Sequence, residues 1–146
     1  MLDRKFIGWM TPAHTVIVEK GRVRFFAKAI GETNPIYSDE DAAKAAGFRS
    51  IVIPPTFISC LESERPTGGP NLLQEMGIHI SRILHGEQHF TYHAPVCVGD
   101  CITFQGKVTD IYEKKGGTLG FIVRETTATN QDGVLAATIK SITVVR

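Results

Sequence analysis

The chain has 146 residues, 42% of them hydrophobic, which is enough for one domain with a sizeable core over residues 1–146. Its 16 Lys and Arg against 15 Asp and Glu leave a net charge of +1 without a basic run, which excludes the charged stripe of a nucleic-acid binder. No uncharged apolar run approaches the roughly 20 residues that span a bilayer, and Met1 to Met10 lack the apolar stretch of an export signal, so no membrane association and a cytoplasmic location are expected.

In chain order, an early strand is expected near Thr15 to Val18. Val23, Phe26, Ala27 and Ile30 then follow the i, i+3, i+4, i+7 spacing of a short amphipathic helix, and Gly31 is placed to stop it. Ser38 is a good N-cap for a second helix over 39–46, whose acidic first turn suits the helix dipole and whose Gly47 makes a C-cap. After the apolar stretch Ile51 to Ile53, Pro54-Pro55 opens a helix through Leu61 that is apolar nearly all round, with proline in its first turn. Such a helix must be wrapped.

The segment from Ser63 to Ile80 is long for a connection, and Leu72, Leu73 and Met76 within it are expected to pack on a sheet, with an acyl pocket as the alternative role. Beyond it the texture changes to alternating apolar and polar residues, placing strands at about 84–93, 100–112, 117–130 and 134–145. Pro95 to Asp100, Lys114 to Gly117 and Asn130 to Gly133 supply the turn chemistry between them. The expected fold is α+β: an antiparallel meander curled around one buried helix, the hot-dog architecture. Its open edges invite pairing with another subunit.

The stretch Gly31-Glu32-Thr33-Asn34-Pro35-Ile36-Tyr37 nearly matches a Gly-Asp-x-Asn-Pro-x-His hydratase motif and departs from it at both chemical positions. Together with Pro54-Pro55-Thr56-Phe57, His85-Gly86-Glu87-Gln88-His89-Phe90, Tyr92-His93-Ala94-Pro95 and Val98-Gly99-Asp100, it makes nearly the whole chain resemble the MaoC-like dehydratase family, in its FAS1-like dehydratase N-terminal branch. The resemblance implies a substrate held as an acyl-CoA or acyl carrier protein thioester, and water added to or removed from its double bond. It implies Glu32, Asn34 and Tyr37 as the motif's catalytic positions, and Pro55, Thr56, His85 and Gly86 as substrate-binding residues.

In the family an aspartate and a histidine at these positions hold and activate one water, and a backbone N–H polarises the thioester carbonyl. The chemistry needs all three, because enolate-like charge develops on the carbonyl oxygen while protons move on one face. Glu32 is one methylene longer than aspartate, and misplacement by an ångström alone costs about a hundredfold. Tyr37 is a phenol with an ordinary pKa of about 10, a poor base near neutral pH. Pro55 stands where the family's glycine donates its N–H and has none to give; losing one such donor typically costs about a hundred- to a thousandfold.

Three departures at one site favour a degenerate subunit that binds the acyl group and pairs, as homodimer or heterodimer, with a chain that catalyses. The alternatives are a self-sufficient hydratase using Glu32 and Tyr37, a non-enzymatic acyl-thioester binding module, and a thioesterase, for which Glu62 lacks a supporting nucleophile. Asn34 also reads as an ordinary Asn-Pro turn residue, Glu32 as a solvated loop acid and Tyr37 as a packed ring.

No cofactor or metal is expected. His85, His89 and His93 share one strand face, which leaves a ligand contact open to one of them, but lie about 13 Å apart in sequence steps of four, too far for shared ligation. Cys60, Cys97 and Cys101 are expected to be reduced, with Cys97 and Cys101 flanking a turn into a strand rather than forming half of a metal site. Lys107, Lys114, Lys115, Arg124 and Lys140 are expected as scattered surface charges.

Overall fold

The computed structural model describes residues 2–146, arranged as one five-stranded antiparallel sheet and four short helices. Strand β1 (His14–Ile17) leads into α1 (Lys20–Ala29), α2 (Glu40–Ala45), α3 (Phe57–Glu62) and α4 (Leu72–Glu75). The strands β2 (Ile83–Tyr92), β3 (Cys101–Lys114), β4 (Leu119–Thr129) and β5 (Leu135–Val145) follow. The order across the sheet is β1-β3-β4-β5-β2. The expected meander therefore holds for β3 to β5 alone, and β2 lies at the far edge against β5 instead of beside β3. The hot-dog expectation holds: the sheet curls over α3, whose Phe57, Ile58 and Leu61 are buried among Phe104, Ile102 and Ile139.

Both early helices end in the same way. Gly31 (φ 71°) follows α1 and lets the Glu32 N–H reach back to the Ala27 carbonyl at 2.9 Å, while Gly47 (φ 94°) follows α2 and lets the Phe48 N–H reach the Ala43 carbonyl at 3.0 Å. This left-handed stop satisfies carbonyls that the helix would leave bare, at no steric cost to glycine. The N-cap of α2 is Asp39 rather than the expected Ser38: its Oδ1 accepts the Ala42 N–H at 2.7 Å, and Ser38 instead closes the preceding 3-10 turn. Nor does α3 begin at Pro55. It is a six-residue helix from Phe57, and the buried carboxylate of Glu62 ends its apolar run.

Two sheet irregularities decide which side chains face inward. A bulge leaves Thr109 out of the β3–β4 register, and a second at Gly86 pairs His85 with Thr143 but Glu87 with Ile142. Adjacent residues of β5 point to opposite faces, so His85 shares the inner face with Ile139 while His89 and His93 lie on the other. The three histidines do not share a face. The bulge has a packing reason, since a Cβ on Gly86 would stand 2.8 Å from the Ile142 carbonyl oxygen.

The segment 63–80 is ordered by Asn71, which caps α4 through its Oδ1, and Leu72, Leu73 and Met76 pack on a second core of Val108, Ile111, Ile122 and Val145. Cys60, Cys97 and Cys101 are free thiols. No helix among the described residues is long and apolar enough to cross a membrane.

Candidate functional site

The near-motif begins as the last turn of α1 unwinds. With its backbone fixed by the glycine stop, Glu32 turns its carboxylate onto its own loop, where Oε1 accepts the N–H groups of Thr33 and Asn34, each at 2.9 Å. Asn34 does the same one step later: its Oδ1 accepts the Ile36 N–H at 3.2 Å and starts the 3-10 turn Pro35–Tyr37. Glu32 faces a shallow surface with Arg24, Lys28 and Ser38. Tyr37, on the far side of the turn, faces a different space.

That space is a mostly apolar cavity of about 350 Å³, lined by Tyr37, Phe48, Val52, Ile58, Tyr92 and Ala137 together with Pro55 and His93. Its back wall is pinned by main-chain bonds. The Val52 N–H donates to the Ile36 carbonyl at 3.3 Å, and the Ile53 N–H to the Val96 carbonyl at 3.0 Å. Asp100, 1% exposed, fixes the loop that carries Val96, accepting from Arg49, from Gln131 and, at 2.8 Å, from the Cys97 N–H. The Asp100 carboxylate in turn holds the Arg49 guanidinium above its ordinary range.

Part of the lining lies where Pro55 meets the end of β2. The Tyr92 hydroxyl donates to the Pro55 carbonyl at 2.9 Å, and burial pushes this phenol above its ordinary pKa, so it stays a neutral donor. His93 Nε2 lies 3.3 Å from Thr138 Oγ1. The described lining contains no carboxylate, and Pro55 contributes no N–H. Chemically the cavity is suited to hydrocarbon, with phenol and imidazole groups in its lining.

The residues singled out in the sequence thus separate into groups. Tyr37 and Pro55 meet at the cavity; Thr56 is exposed beside them. Glu32 and Asn34 are occupied in the loop behind. His85 and Gly86 lie at the opposite end of β2 from Tyr92, about 20 Å along the strand. Tyr92 and His93, which in the sequence carry part of the family resemblance without an assigned role, also line the cavity. Structurally the loops that carry Pro54-Pro55 and Pro95 are joined, because Val52 bridges to Cys97.

The chain matches known proteins over most of its length. Residues 5–139 match the model of the FAS1-like dehydratase domain region. A curated UPF0336 protein of Saccharopolyspora erythraea is 36% identical, over 99% of this chain and 92% of its own. In structure, the C-terminally truncated HadBC complex of Mycobacterium tuberculosis, a (3R)-hydroxyacyl-ACP dehydratase, superposes with a TM-score of 0.81 at 24% identity, covering 95% of this chain and 96% of that one. The (R)-hydratase of A. caviae involved in PHA biosynthesis superposes with a TM-score of 0.72 at 21% identity, with 96% of each chain covered. At such identities the two structural likenesses establish the fold.

Proposed function

Because this chain belongs to the FAS1-like dehydratase family, we propose that it serves an enoyl-thioester hydratase or 3-hydroxyacyl-thioester dehydratase as the subunit that holds the acyl group, with the acid/base pair supplied by a partner chain. The observation that carries this reading is the separation of Glu32 from the apolar cavity that Tyr37 lines. A hydration site needs a carboxylate and a second acid/base group on one water. Here the carboxylate is held by the N–H groups of Thr33 and Asn34, and the described lining of the cavity contains no carboxylate.

The sheet edge supports a partner. Among the described residues β2 pairs with β5 on one side, leaving a ten-residue edge on the other, with Leu84 and the neighbouring Ile80 exposed. Long edges with apolar residues beside them are seldom left bare. The HadBC protein of similar fold is itself a complex. A self-sufficient hydratase would require the Glu32 carboxylate to leave its two N–H donors and swing around the 3-10 turn. A non-enzymatic acyl-thioester binding module would use the same cavity without a catalytic partner.

Titration calorimetry with hexadecanoyl-CoA and with CoA alone tests the acyl-holding role. The expected result is that the acyl chain strengthens binding by about a hundredfold or more, since burying each methylene contributes about 0.8 kcal/mol. Equal binding of the two would leave the cavity without an acyl ligand and overturn the proposal.

A further inference from the structure

A second cavity, of about 490 Å³, opens at the other end of α3 and is built from different chemistry. Its floor is the inner face of the sheet, where Arg124 lies flat across β3. This is possible because β3 carries Gly106 at that point: a Cβ there would stand 3.1 Å from Arg124 Cδ. Glu62 Oε1 accepts from Arg124 at 3.0 Å, from Arg65 at 3.2 Å and from the Thr126 hydroxyl at 2.9 Å. The two guanidiniums line the cavity and the carboxylate they share does not.

Two positive charges against one negative leave one in excess, on groups that retain unused donors. Arg124 Nε is buried with no hydrogen-bond partner among the described residues. The neighbouring His14 adds no charge to balance or augment this. Its Nε2 lies 3.0 Å from the Glu62 carbonyl, to which it can only donate, and burial holds its pKa below the ordinary value. The rest of the lining includes apolar side chains: Ile122, two residues from Arg124 on the same face of β4, with Trp9 and Leu72. A guanidinium fork matches the planar geometry of a carboxylate, and the volume is that of a small-molecule site.

We propose that this cavity binds a small carboxylate with an apolar body, its carboxylate held by Arg65 and Arg124 and its hydrocarbon part against Trp9, Leu72 and Ile122. The site is independent of the acyl cavity, which begins at the other end of α3. It also comes with its own reporter, because Trp9 is the single tryptophan of the chain.

The test is titration of the full chain with sodium hexanoate, read by Trp9 fluorescence and in parallel by calorimetry. Saturable binding is expected, with methyl hexanoate, the same body without the charge, bound about tenfold more weakly or worse. Arg65→Gln, on a side chain 39% exposed and so compatible with folding, is expected to weaken hexanoate by a similar factor and to leave methyl hexanoate unchanged. Equal binding of acid and ester, indifference to Arg65→Gln, or no saturable change would each overturn the proposal. Binding of both ligands without a Trp9 response would assign them to the acyl cavity instead, and would overturn it too.

Discussion

The two ends of the six-residue helix α3 are built from opposite materials. The N-terminal end opens onto hydrocarbon and phenol rings, with one hydrogen bond from Tyr92 to Pro55 in the lining. At the C-terminal end Glu62 sits under two arginines and a threonine, and a charged network closes the core. A short helix with different chemistry at each end can divide one domain between two cavities. The apolar end depends on packing, which degrades gradually; the charged end depends on completeness, because a half-satisfied buried network is worse than none.

The contrast can be broken most severely at the charged end. Glu62→Leu leaves Arg124 in the core without its counterion and is expected to cost about 4 kcal/mol in urea denaturation, most of it recovered in the double variant Glu62→Leu/Arg124→Met. At the apolar end, Ile58→Ala is expected to cost about 3 kcal/mol as a cavity, and no removal of a charge elsewhere should restore it. If the second Glu62 variant recovered nothing, packing rather than charge would govern both ends.

Smaller effects sharpen the same contrast. Tyr92→Phe removes the one donor to the Pro55 carbonyl and is expected to cost about 1 kcal/mol, read as a lowered midpoint of thermal unfolding. The smallest effect concerns acid. Burial depresses the pKa of His14, against the opposing pull of its bond to the Glu62 carbonyl and alongside repulsion from Arg65. Between that depressed value and the ordinary one of about 6.5, the unfolded chain binds more protons than the folded one. Stability is therefore fully present above about pH 6.5 and falls as pH drops toward the folded value. His14→Gln should flatten this slope in denaturation curves at about pH 7.5 and about pH 5.5.

Much of the frame was legible in the sequence because it is written in local signals. Strand alternation placed β3, β4 and β5 within two residues of their ends, and Gly31 and Gly47 marked both helix stops. What escaped depends on contacts distant in the chain. Arg124 read as a surface cation because nothing nearby reveals that β4 turns it inward over Gly106 toward Glu62, 62 positions earlier. The Gly86 bulge moved His85 to the face opposite His89, an outcome set by crowding from Ile142 and Val144 on a strand far away in sequence.

The near-motif shows the same limit within a few residues. The spacing of Glu32 and Tyr37 invited a shared water, but the hydrogen bonds that turn Glu32 onto Thr33 and Asn34, and the 3-10 turn behind Asn34, place the two side chains on different surfaces. Spacing in the sequence fixes separation along the chain and leaves direction to the turn.

The most direct measurement is hydration of trans-2-enoyl-CoA, followed as loss of enoyl absorbance, by the purified chain alone and after mixing with a chain of similar fold that carries an intact Gly-Asp-x-Asn-Pro-x-His motif. Turnover that appears only with the partner is the predicted result, with Glu32→Gln in this chain leaving it unchanged. Turnover by this chain alone, abolished by Glu32→Gln, would contradict the account and make Glu32 and Tyr37 a working pair.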